Sequence, residues 1–96
     1  MSDEVDDKFY ERADAHIHLS NSQRDDVSRG KVSASMMYAT ARFNAWVSAC
    51  GPDSGDEMAA KKGEVVEYFV TQYRSMLEEN LDDYIENFDS YMKPNQ

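Results

Sequence analysis

Cysteine occurs once in the 96 residues, at Cys50, so no internal disulfide can form. Small secreted domains usually depend on several bridges, so a lone cysteine points to a cytoplasmic protein. Proline occurs twice and glycine four times. They cluster at Gly30, at Gly51-Pro52-Asp53-Ser54-Gly55, at Gly63 and at Pro94, so long stretches between carry no helix breaker. No segment alternates apolar and polar residues for long enough to make a strand. The longest apolar-leaning stretch, residues 32–50, is interrupted by Ser33, Ser35, Thr40, Arg42, Asn44 and Ser48. A membrane span needs about 20 mainly apolar residues, so none is expected. The N-terminus, Met1-Ser2-Asp3-Glu4-Val5-Asp6-Asp7, lacks the basic start and apolar run of a signal peptide.

What is present is an acidic, globular composition. Apolar residues make up 41% and charged residues 30%, which is too apolar for a disordered chain. The net charge of −9 is unevenly placed. Residues 1–26 hold eight acids against three bases, and residues 51–96 hold eleven against four. Residues 27–50 hold no acid, only Arg29, Lys31 and Arg42. A basic centre between two acidic arms suits packing of the centre against the arms. A field this negative repels phosphate backbones, so no direct binding of nucleic acid is expected.

The spacing predicts an all-α fold: a small three-helix bundle forming a single domain over residues 1–96, with flexible ends at about 1–6 and 93–96. The first helix covers about residues 7–23, capped by Asp6 or Asp7. Its core face is Phe9, Ala13, His16, Ile17 and Ser20. The second covers about 29–49, with Ser28 as its cap. Val32, Met36, Ala39, Phe43, Trp46, Val47 and Cys50 form one stripe, and the opposite side is rich in alanine. A helix apolar on two sides belongs in the middle of a bundle. Gly51-Pro52 stops it, the glycine suiting a left-handed cap.

The third helix starts near Asp56, hesitates at Gly63, and runs on without a breaker over 64–93. Val66, Phe69, Val70 and Tyr73 are repeated eleven residues later by Leu77, Asn80, Leu81 and Tyr84, and Phe88, Tyr91 and Met92 begin a third set. That period keeps the stripe on one side of a straight helix. The opposite face carries Glu67, Glu78, Glu79, Asp82, Asp83, Glu86 and Asp89. Such a helix outruns the other two. Its end is either folded back by a break near Asn80, giving a fourth helix, or covered by another molecule.

Catalytic constellations are missing. His16 and His18 sit two apart and point to different sides of a helix, so they share no metal. Asp14 and His18 are four apart, with Glu11 one turn earlier, but no Glu-x-x-His motif is present. Residues 53–57 resemble a calcium loop in composition alone. Cys50 lies at a helix C-terminus, where the dipole disfavours a thiolate. Ser28-Arg29-Gly30-Lys31 reads as an ordinary helix start. No catalytic residue, metal site or cofactor is assigned. Arg42 stands four residues from both Tyr38 and Trp46. With Trp46 it forms an anchor, either for an inter-helix ion pair or for an acidic ligand.

Four phrases carry a family resemblance: Phe9-Tyr10-Glu11-Arg12-Ala13-Asp14-Ala15; Gly30-Lys31-Val32-Ser33-Ala34-Ser35; Tyr38-Ala39-Thr40-Ala41-Arg42-Phe43-Asn44-Ala45; and Tyr68-Phe69 through Asn87-Phe88-Asp89. With them the chain resembles, over nearly its whole length, the uncharacterised bacterial family catalogued as domain of unknown function 3144. The resemblance implies a small bacterial helical protein and supplies no activity, cofactor or site residue.

Three functional classes follow. The first is a non-enzymatic module that pairs with itself as a homodimer through the third helix, using Asn80, Tyr84, Phe88 and Tyr91. The second is an acidic protein that binds a basic protein partner through its 78–89 carboxylate face, mimicking nucleic-acid charge. The third is a small ligand-binding or enzymatic domain around Arg42 and Trp46.

Overall fold

The computed structural model describes residues 5–93. The expected flexible ends therefore fall largely outside the described residues. The fold is all-α, and the described residues form five helices: α1 (Phe9–Gln23), α2 (Arg29–Ala49), α3 (Gly55–Ala60), α4 (Lys62–Glu86) and α5 (Phe88–Met92). The chain divides into two compact units, Met1–Val47 and Ser48–Gln96.

In the first unit, Asp6 organises the start of α1. Its carbonyl accepts from the Phe9 N–H at 3.1 Å, and its carboxylate accepts from the Lys8 N–H at 2.9 Å. Arg12 closes the turn with an ion pair to the same carboxylate at 3.2 Å. The Arg12 hydrogen bond, reinforced by the Lys8 N–H, holds the Asp6 carboxyl below the usual carboxylate range. Ser28 starts α2, its hydroxyl accepting from the Lys31 N–H at 3.4 Å. Val32 is 6% exposed and is the buried apolar residue among the described residues. One turn beyond it, the Ser20 hydroxyl of α1 donates to the Met36 sulfur at 3.3 Å. Phe9, Ala13 and Ser20 of the expected α1 core face are half-buried, whereas His16 and Ile17 are exposed.

The expectation that α2 is covered on two sides is not met within its unit. Phe43 and Trp46 are each 61% exposed. Within that unit the Ser20–Met36 hydrogen bond joins α1 to the N-terminal half of α2, ahead of Phe43 and Trp46. The stop of α2 also differs in detail. No described glycine has a positive φ, so Gly51 makes no left-handed cap. Pro52 ends the helix by itself, through its missing N–H and the restriction it places on the residue before it.

In the second unit, Ser54 caps α3 by accepting from the Glu57 N–H at 3.1 Å. The Glu57 carboxylate in turn accepts from the Asp53 N–H at 3.4 Å, a variant of the capping box. The expected hesitation at Gly63 lies two residues earlier, at Lys61 between α3 and α4. Met58, Val65, Phe69 and Gln72 are half-buried around that corner.

α4 is 25 residues long, about 37 Å by rise per residue. It passes through Asn80 without interruption. The Asn80 amide donates back to the Met76 carbonyl at 2.8 Å, one turn earlier, and so sits within the helix. The break near Asn80 is thereby corrected: the interruption is at Asn87. There the side-chain amide donates both to the Asp83 carbonyl at 3.1 Å and to the Asp83 carboxylate at 2.9 Å. The Tyr91 hydroxyl donates to the same carboxylate at 3.1 Å. Contacts from one and two turns beyond converge on Asp83 and tie α5 to the end of α4.

Candidate functional site

The candidate surface is built on α4 and α5. Val66, Val70, Tyr73, Leu77, Leu81, Tyr84, Phe88 and Tyr91 follow one another at helical spacing on one side of the unit. Each is between 42 and 53% exposed. The unit that carries this stripe leaves it uncovered. Near the end, the rings of Tyr84 and Tyr91 meet edge to face, with centroids 4.9 Å apart. Lys93 lies 5.9 Å above the Phe88 ring.

Of the four residues the sequence places at an interface, Tyr84, Phe88 and Tyr91 stand on this exposed surface. Asn80 is exposed too, but its amide is committed to the Met76 carbonyl. The first half of the stripe, Val66 to Leu81, was missing from the expected interface residues. The signal for it was present in the eleven-residue repeat, since both repeats share one side of a straight helix.

The carboxylate face is exposed on the same helix. Asp83 is occupied by Asn87 and Tyr91, and Asp89 pairs with Lys93 at 4.0 Å. The ion pairs among the described residues are this one and Asp6–Arg12, so Glu78, Glu79, Asp82 and Glu86 have no ion-pair partner.

The Asp83 hydrogen bond and charge raise the Tyr91 phenol above its ordinary value. The contact's stabilisation is therefore full below the ordinary tyrosine range and is lost as pH rises through the raised value. An ultraviolet titration is expected to show a late tyrosine ionisation, a lag that Tyr91→Phe removes. In Asp83→Asn the lag should disappear. A lag that survives would show that Asp83 does not control the phenol.

Arg42 and Trp46 lie on exposed parts of α2. Trp46 packs against Phe43 at 5.6 Å between centroids. Arg42 belongs to neither ion pair. An open depression of about 310 Å³ is lined by Asp6, Asp7, Lys8 and Arg12, far in sequence from Arg42 and Trp46. Among the described residues, no three histidine, cysteine, aspartate or glutamate side chains come together as a metal site would need. His16, His18 and Cys50 are all exposed. No described helix is long and apolar enough to cross a membrane.

The five-helix arrangement defines a small all-α protein. Residues 9–85 match the family model "Protein of unknown function (DUF3144)", and the chain belongs to that family. It is similar to a solved structure titled "NMR structure of the protein NB7890A from Shewanella sp", with 40% identity and a TM-score of 0.78. That match covers 97% of this chain and 99% of the other. No curated protein matches the chain.

Proposed function

We propose that the chain is a non-enzymatic protein-interaction module of the bacterial cytoplasm that associates with itself through the α4–α5 surface. It acts as a single domain, with Asn80, Tyr84, Phe88 and Tyr91 in the distal part of the contact. The observation that carries this reading is the stripe from Val66 to Tyr91, half-exposed along its whole length. Contiguous apolar surface on that scale marks an interface. Summed over the eight side chains it amounts to roughly 800 Å², about what one partner contributes to a standard interface. Size exclusion coupled to light scattering tests it. The expected mass is twice the 11.0 kDa of the chain, and a monomer at every concentration would refute the reading.

A second reading rests on the four acids without ion-pair partners, Glu78, Glu79, Asp82 and Glu86. They suit a basic protein partner. Capture of such a partner should weaken steeply with salt, and salt-independent capture counts against it.

A further inference from the structure

We propose that the α4 stripe is covered by the exposed C-terminal half of α2 from a second copy, so that two reciprocal α2–α4 contacts close the dimer. This rests on the self-association reading and names the surface that meets the stripe. Charge makes the choice. α4 carries seven acids against two bases, and α2 carries Arg29, Lys31 and Arg42 with no acid. Pairing α4 with its own copy would set two strongly acidic helices side by side, which is repulsive. Pairing it with α2 joins opposite signs.

The side chains fit the same choice. Advancing about 100° per residue puts Ala39, Phe43, Trp46 and Val47 on one side of α2, with Arg42 on its border. The same rule puts Glu78 on the border of the Leu77–Leu81 stripe, with Asp82 just behind it. Phe43 and Trp46 already touch, their rings tilted 37° to each other, and form a preset wedge. Leu77 and Leu81, between Tyr73 and Tyr84, offer a surface of smaller side chains for it. An aromatic pair left 61% exposed beside an arginine is the composition of an interface centre. Two reciprocal contacts make about 2,000 Å² available, above the roughly 1,200 Å² at the low end of stable interfaces. A twofold axis closes the pair and leaves neither stripe open.

The test uses two full-length variants, Arg42→Glu and the double change Glu78→Arg with Asp82→Arg. Each alone places like charges at both contacts and should raise the dimer dissociation constant at least about 30-fold. Mixed in equal amounts, they pair reversed with reversed at one contact and native with native at the other. The mixture should therefore recover a dimer, measured by native mass spectrometry of the two distinct chains. That recovery also shows both variants to be folded. Variants that each dimerise like the wild type, or a mixture that stays monomeric, would overturn the α2–α4 pairing while leaving self-association standing. A wild-type chain that is monomeric throughout overturns both. On the unaltered chain, raising salt from 50 to 500 mM should weaken the dimer about 10-fold. A dimer that holds or tightens in salt would overturn the pairing.

Discussion

Leu77→Asp is expected to run as an 11.0 kDa monomer at concentrations where the wild type is dimeric. Leu77 lies at the middle of the α4 stripe, with Tyr73 and Leu81 one turn to either side. It is 42% exposed, so the charge adds little strain to the isolated chain. In the proposed dimer the same carboxylate is stripped of water twice, once from each copy. Each desolvation without a partner costs about 2–4 kcal/mol, so the dissociation constant should rise roughly a thousandfold or more. Ser75→Asp is the control. Ser75 is exposed and lies about 160° around the helix from Leu77, so its replacement should leave the mass unchanged. Equal behaviour of the two variants would remove the stripe from the contact. Far-UV circular dichroism should show the helix content of both preserved.

Val32→Asp is expected to act on folding instead. Val32 is the described side chain that water does not reach, and it sits where the hydrogen bond from Ser20 brings α1 against α2. A carboxylate there must be buried unpaired or must push the helices apart. The cost is about 3 kcal/mol. Thermal unfolding should begin lower for the α1–α2 signal, with a loss of amide exchange protection confined to the first unit. Residues of α4 should keep theirs. Protection unchanged in residues 9–36 would mean that this corner contributes nothing to stability.

The sequence made some of these features legible and hid others for physical reasons. Both ends of α2 could be read, because Ser28 and Pro52 act through their own chemistry on adjacent backbone. The helix start near Asp56 could be read from the turn cluster Gly51-Pro52-Asp53-Ser54-Gly55 before it. The interruption of the last helix could not. Asn80 and Asn87 are the same residue type, but Asn87 has Asp83 one turn before it and Tyr91 one turn after it, and all three converge. At Asn80 no such pair exists, and its amide merely bonds back to the Met76 carbonyl. Burial was the least legible property. Periodicity marks which side of a helix is apolar, but not what covers it. Phe43, Trp46 and Leu77 have the pattern of core residues, yet the units that contain them leave them open. For the site, Tyr84, Phe88 and Tyr91 were visible as an apolar run beyond the other helices. The half of the stripe before Asn80 was not read as interface, because its exposure depends on tertiary packing.

The eleven-residue repeat carried by the uninterrupted α4 has a consequence for register. A stripe that repeats every eleven residues looks nearly the same after a slide of about 16 Å along the axis. Val66 takes the place of Leu77, Val70 that of Leu81, and Tyr73 that of Tyr84. A partner guided by apolar contact alone therefore finds two almost equivalent seats on one rod. What differs between the seats is polar: Arg74 in one stands where Ile85 stands in the other, and Glu64 where Ser75 stands. The few charges beside the stripe are thus its position marks, and a helix stripped of them would bind its partner in a mixture of alignments.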